Sequence, residues 1–181
     1  MKLITMTLAS YITLLRIILI SPIIYSISAG YEILALTLFI IAGITDYFDG
    51  FIARKTKTET SFGAFLDLLA DKLLVCLVLL WCSILSPSYL IIIPVFAIIG
   101  RELIISSIRQ FLVQKTGKNP IKVTYIAKSK TSIQMIAISF LILSPKMGSL
   151  FNNITILFIW IAALISIYTL FNYFKIYRSH F

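Results

Sequence analysis

Long runs of apolar residues without a formal charge constrain this chain more than any other feature of its sequence. The runs 73–100 and 147–174 contain no Asp, Glu, Lys or Arg. Across all 181 residues, 60% are hydrophobic and only 13% are charged. A transmembrane helix needs about 20 mainly apolar residues, whereas a soluble domain carries about twice this share of charge. The sequence therefore predicts an integral membrane protein built from helices.

Six apolar stretches are long enough to cross a bilayer. The predicted spans are 8–28, 33–53, 63–85, 89–111, 124–144 and 152–174. Charged residues concentrate near the ends of these stretches or between them, as expected for spanning helices. We therefore predict an all-α fold, a polytopic bundle of about six transmembrane helices. We also expect residues 1–181 to form a single integral-membrane domain.

The distribution of basic residues predicts the orientation of the helices. Connections 54–62 and 112–123 together contain six Lys or Arg residues, whereas connections 29–32, 85–89 and 145–151 contain only Lys146. Basic residues favour the cytoplasmic side of a membrane. We therefore predict a multi-pass protein of the cytoplasmic membrane with both termini in the cytoplasm. The net charge of +9 then favours anionic lipid headgroups and phosphorylated substrates, and not nucleic acid, as partners.

Acidic residues are rare in this chain, but all four of its aspartates fall within 26 positions. Asp46 and Asp49 are three residues apart, and Asp67 and Asp71 are four apart, so that each pair shares one face of a helix. Crowded carboxylates repel one another unless cations neutralise them. Their hard oxygen atoms suit Mg²⁺ or Mn²⁺. We therefore predict a divalent-metal site on the cytoplasmic side, where these ends of the second and third spans lie.

The whole stretch 46–71 reads D-x2-D-G-x2-A-R-x8-G-x3-D-x3-D. This pattern resembles the signature of the CDP-alcohol phosphatidyltransferase family, and every fixed position of the signature is present. Eight fixed identities would arise by chance about once in 10¹⁰ starting positions. Three further stretches, 13–22, 101–109 and 125–134, look like the bacterial branch of this family whose acceptor is glycerol 3-phosphate. The chain departs from that branch at Thr7, Ala9 and Leu68, where Asn, Pro and Pro are usual.

The resemblance implies an activity and the residues that perform it. The family transfers the phosphatidyl group of CDP-diacylglycerol to an alcohol and releases CMP; with glycerol 3-phosphate the lipid product is phosphatidylglycerophosphate, a precursor of anionic phospholipids. Two ions, Mg²⁺ or Mn²⁺, and a homodimer are also implied. The implied metal ligands are Asp46, Asp49 and Asp67, together with Asp71, which is also the implied general base. The implied nucleotide-binding residues are Gly50, Ala53, Arg54 and Gly63, although the two glycines also fit simple helix packing.

Cations within or beside the apolar spans give a physical argument for the acceptor. Glycerol 3-phosphate carries a phosphate dianion, and we expect four basic residues to bind it: Arg101, Arg109, Lys128 and Lys130. A second interpretation is that Arg101 pairs with its neighbour Glu102 and that the two lysines only flank a span. Arg16, alone in the first span, fits either a substrate contact or a structural ion pair.

Two other functions remain as alternatives. A cardiolipin synthase of the same family would use phosphatidylglycerol as acceptor, and would need an apolar second groove in place of a basic pocket. A small cation transporter also places Asp, Arg and Lys within its spans, but its sites are expected near the membrane midplane, often on broken helices. The four aspartates of this chain instead cluster at one end of two spans.

Overall fold

The computed structural model describes residues 8–56, 61–116 and 125–178, and side chains within 11–45, 63–111 except 64, and 131–175. Six α-helices make up nearly all of these residues: α1 (Leu8–Ser28), α2 (Glu32–Thr56), α3 (Ser61–Leu85), α4 (Tyr89–Thr116), α5 (Tyr125–Leu143) and α6 (Ser149–Arg178). A single 3-10 turn, Ser144–Lys146, joins α5 to the connection before α6. The described residues contain no strand.

The structure confirms an all-α, polytopic membrane protein. Four described segments are long and apolar enough to cross a membrane: Tyr11–Ser28, Phe65–Leu85, Tyr89–Phe111 and Ser149–Lys175. The apolar parts described for the other two helices, Glu32–Thr45 and Thr131–Lys146, are shorter, so that their crossing stays a prediction. The helices begin and end within a few residues of the predicted spans, except that α4 and α6 each continue for about one further turn into polar sequence.

Large apolar side chains cover the outside of these helices. Ile18, Tyr25, Leu150 and Phe171 are each more than two-thirds exposed. A water-soluble protein rarely leaves so many large apolar groups on its surface, whereas lipid tails solvate them well. The exposed side chains therefore agree with a bilayer as the solvent.

The first helical unit extends to Leu85, and α1 lies at its centre, packed against both α2 and α3. Small residues at the interfaces, including Ala35, Ala42 and Ala70, are fully buried and let the helices approach closely. The tight turn between α1 and α2 depends on Gly30, whose φ of 76° is in the left-handed region. The next residue, Tyr31, donates its backbone N–H to the carbonyl of Ser26 at 2.8 Å, which closes the end of α1.

Side-chain contacts show that α1 and α3 run in the same direction. At one end of the pair, Trp81 Nε1 donates to Ser28 Oγ at 2.8 Å. Toward the other end, Arg16 of α1 contacts Asp71 of α3. This direction is the one expected for the first and third of consecutive membrane crossings. It brings the acidic end of α3 beside the first half of α1.

The second helical unit begins at Ser86, and there α6 packs against both α4 and α5. Trp160 Nε1 of α6 donates to the carbonyl of Leu90 near the start of α4 at 3.0 Å. Farther along both helices, Arg101 of α4 contacts Thr169 of α6. These helices therefore also run in the same direction. Their contact places polar groups of α6 next to the predicted basic residues of α4.

Candidate functional site

The acidic end of α3 presents two carboxylates on one helical face. Asp67 and Asp71 are four residues apart, and their side chains are 43% and 50% exposed. Gly63, one turn before Asp67, also lies in α3. The spacing of the helix thus places both partly exposed carboxylates on the same face of α3, as the sequence predicted.

Arg16 of α1 connects the two carboxylates. Its Nη1 atom lies 3.2 Å from Asp71 Oδ1 and 3.4 Å from Asp67 Oδ1, and the arginine side chain is completely buried. Arginine within a transmembrane helix costs about 2.5–3.5 kcal/mol on insertion scales. Hydrogen bonds to charged groups are stronger than those between neutral groups, and here they offset that cost. Arg16 therefore forms an ion pair inside the candidate site, which the sequence left open.

The donors in this region fit a divalent cation in part. Asp67 and Asp71 supply accessible hard oxygen atoms one turn apart, the type of donor that Mg²⁺ and Mn²⁺ prefer. Within the side chains that the structure describes, no group of three or more His, Cys, Asp or Glu residues is close enough to hold a metal ion. The backbone of α2 carries the other predicted residues, Asp46, Asp49, Gly50, Ala53 and Arg54, whose side chains lie outside the described part.

Arg101 is the best-described of the predicted basic residues, and it is held on three sides. Its Nη1 donates to Glu102 Oε1 at 3.0 Å, and its Nη2 donates to Thr169 Oγ1 at 3.1 Å. The guanidinium carbon lies 5.9 Å from the centre of the Tyr173 ring. The ion pair between Arg101 and Glu102, the second interpretation of the sequence, is therefore present. It uses only the Nη1 atom of the guanidinium.

Arg109 lies two helical turns after Arg101 on α4, so that both arginines share one face of that helix. Ile105, between them, is buried against Tyr173. The Nε atoms of Arg101 and Arg109 are buried and have no hydrogen-bond partner among the described residues. The remaining predicted cations, Lys128 and Lys130, lie in α5, and their side chains are outside the described part.

Two residues near these arginines were missed by the sequence interpretation. Thr169 and Tyr173 lie in the last apolar span, which gave no signal of a site beyond hydropathy. Their spacing of four residues, with both side chains buried, places them on one face of α6. A polar and an aromatic residue one turn apart do not stand out in this helix, which also contains other Asn, Ser and Thr residues.

Comparisons with known proteins agree with the motif. The model of the family described as CDP-alcohol phosphatidyltransferase matches residues 6–168. A protein of Rickettsia bellii is 39% identical over 180 residues, covering 96% of this chain and 97% of its own. One of Rickettsia felis is 38% identical with the same coverage. One of Salmonella choleraesuis is 33% identical over 171 residues, or 93% of each chain.

All three relatives are named CDP-diacylglycerol--glycerol-3-phosphate 3-phosphatidyltransferase. The family match crosses both helical units and includes α1 with Arg16, the acidic end of α3, and most of α6. Similarity of this extent does not depend on the short acidic motif alone. The chain belongs to the CDP-alcohol phosphatidyltransferase family.

Proposed function

We propose that this protein transfers the phosphatidyl group of CDP-diacylglycerol to glycerol 3-phosphate, and so makes phosphatidylglycerophosphate and CMP. The relatives that cover nearly the whole chain carry this activity in their name. The observation that carries the proposal is the pair Asp67 and Asp71, accessible on one face of α3 and contacted by the buried Arg16. A transporter receives no support from these similarities.

The family generally depends on a divalent metal ion. We assign Asp46, Asp49, Asp67 and Asp71 to hold two such ions, because carboxylates supply the oxygen donors that Mg²⁺ and Mn²⁺ need. When bound, the ions supply charge neutralisation for the diphosphate and for the leaving CMP. Gly50, Ala53, Arg54 and Gly63 are assigned to the nucleotide.

Asp71 is assigned as the general base. The acceptor hydroxyl oxygen forms a bond to the lipid-side phosphorus, the bond between that phosphorus and the CMP oxygen breaks, and the hydroxyl proton passes to the Asp71 carboxylate. A base must be reachable by the group that it deprotonates, and the Asp71 side chain is half exposed. Arg16 contacts both Asp67 and Asp71, so that its positive charge offsets part of the repulsion between them.

The acceptor phosphate is assigned to Arg101, Arg109, Lys128 and Lys130. Guanidinium groups bind phosphate through paired N–H donors, and two buried Nε atoms on one face of α4 have no partner among the described residues. A phosphate is the ligand that these donors suit. Phosphatidylglycerol, the acceptor of the alternative cardiolipin synthase, carries its phosphate as a diester with a single charge and is a weaker match.

The reaction is tested by measuring CMP release from CDP-diacylglycerol in membranes that contain the protein. Glycerol 3-phosphate, phosphatidylglycerol, serine and inositol are supplied separately with Mg²⁺, with and without a chelator. We expect CMP release only with glycerol 3-phosphate, and its loss on chelation. Release with phosphatidylglycerol alone would establish the cardiolipin reaction instead, and release that survives chelation would refute the metal assignment.

We further propose that residues 1–181 act as one domain within a homodimer in the cytoplasmic membrane, with the termini and the site in the cytoplasm. The family match runs through both helical units, and the basic connections favour this orientation. Cysteine variants of Ser88 and Lys175, made in a chain without Cys76 and Cys82, test it by labelling whole cells with an impermeant maleimide. We expect labelling of S88C only; labelling of K175C alone would reverse the orientation. Cross-linking in membranes tests the dimer.

A further inference from the structure

The hydroxyl group of Thr169 has a fixed direction. Thr169 is buried, and its Oγ1 donates its only proton to the carbonyl of Ser166 at 2.8 Å. The same oxygen accepts from Arg101 Nη2 at 3.1 Å. Because this proton is already donated to Ser166, the Thr169 oxygen can only accept a hydrogen bond from Arg101. A hydroxyl oriented in this way opposes rotation of the guanidinium away from α6.

Tyr173 restricts movement of the Arg101 guanidinium in a second direction. It lies one turn after Thr169, its side chain is buried, and its ring centre is 5.9 Å from the guanidinium carbon of Arg101. A cation within about 6 Å of an aromatic ring is attracted to it. Ile105, between the two arginines, packs against the same tyrosine. The tyrosine thus contacts the arginine-bearing face of α4.

The contacts of Arg101 leave part of its binding capacity unused. A guanidinium carries five N–H donors, and Glu102 and Thr169 accept from its two terminal nitrogens. The Nε of Arg101 and that of Arg109 are buried without a partner among the described residues. A buried donor without an acceptor costs about 1–3 kcal/mol. An anion that accepts hydrogen bonds from these N–H groups would remove that cost.

We propose that Thr169 and Tyr173 are positioning residues, which hold the Arg101 guanidinium so that it and Arg109 direct N–H donors at the phosphate monoester of the acceptor. The inference rests on the proposed function and extends it to α6, to which the motif assigns no role. Holding the guanidinium in advance lowers the ordering cost of binding. Neither residue touches the substrate itself.

The test compares T169V, which keeps the shape and removes the acceptor oxygen, with T169S, which keeps the oxygen. We expect T169V to raise KM for glycerol 3-phosphate by about 3- to 10-fold, the equivalent of one hydrogen bond. The KM for CDP-diacylglycerol and kcat should change by less than about 2-fold. T169S should restore the acceptor KM to near the wild-type value.

Thr155 provides a matched control. It lies on the same helix, is fully buried, and donates to the carbonyl of Phe151, so T155V removes a comparable hydroxyl whose described hydrogen bond goes to the backbone of its own helix. We expect T155V to leave both KM values unchanged. For the tyrosine, Y173F keeps the ring and should behave like the wild type, whereas Y173L should raise the acceptor KM. This pair keeps the proposal testable where a Thr169 variant does not fold.

A merely structural role predicts a different result. Equal changes in both KM values, a fall in kcat with the acceptor KM unchanged, or equal impairment in T169S and T169V would each overturn the proposal. Failure of the proposed function has its own signature, because the wild-type protein would then release no CMP with glycerol 3-phosphate. Binding of glycerol 3-phosphate to purified protein, measured by calorimetry, should weaken in T169V by the same factor as KM rises.

Discussion

The contact between Arg16 and Asp71 leads to a quantitative prediction for stability. Arg16 uses a single nitrogen, Nη1, for both aspartates, and the distance to Asp71 is the shorter, 3.2 Å against 3.4 Å. The variants R16Q, D71N and R16Q/D71N form a double-mutant cycle. The cycle isolates the energy of this pair from the separate effect of each substitution.

The expected coupling follows from burial and charge. Hydrogen bonds to charged groups contribute about 1.5–3 kcal/mol. Arg16 is completely buried, which favours the upper part of that range, but the Asp71 side chain is 50% exposed and its charge is partly screened by solvent. We therefore expect a coupling free energy of about 1–2 kcal/mol. R16Q alone should destabilise more than D71N alone, because it also removes the contact with Asp67.

The assay is unfolding of the purified protein in mixed micelles by a denaturing detergent, followed by loss of helical circular dichroism. Glu32 gives the control cycle R16Q/E32Q. Glu32 is buried at the start of α2, beyond the far end of α1 and about 18 Å of helix away from Arg16. That cycle should be additive within about 0.5 kcal/mol. A coupling of the same small size for Arg16 and Asp71 would refute the ion pair as a stabilising contact.

Three further predictions use the same assays. D67N and D71N should abolish CMP release while the protein remains folded in membranes, as judged by its unfolding curve; retained turnover in either would remove the assigned metal or base role. K128Q should raise the KM for glycerol 3-phosphate far more than that for CDP-diacylglycerol, and an equal rise in both would contradict a contact with the acceptor phosphate. W81F should lower the free energy of unfolding by about 0.5–1 kcal/mol, because the 2.8 Å hydrogen bond to Ser28 is lost; an unchanged value would show that water or lipid replaces it.

The architecture was readable from the sequence because a bilayer leaves few choices. Backbone groups in lipid must be satisfied within the helix, so that apolar length alone predicts the helices. The observed ends of α1 and α3 differ from the predicted spans by at most two residues. Helix packing was harder to predict, because the pattern of apolar residues does not indicate which helices are in contact. That α1 contacts the acidic end of α3 through Arg16 required the structure.

The candidate site was readable only where its residues are close in sequence. The spacing of Asp67 and Asp71 fixed their common helical face. Arg16 is 51 residues from Asp67 and 55 from Asp71, and no local pattern reports a contact over that distance. Thr169 is likewise 68 residues from Arg101. In both cases the two residues lie on different helices, and tertiary packing brings them into contact.

The burial of Arg16 also has a consequence for how the protein is made. A protein chain is synthesised from its amino end at about 5–20 residues per second. The first helix leaves the ribosome before Asp67, which follows Arg16 by 51 residues, so this delay is about 3–10 s. During that time neither aspartate is available to Arg16. The ion pair can form only after α3 has been made, so that assembly of this part of the bundle is complete only when the first three helices are present.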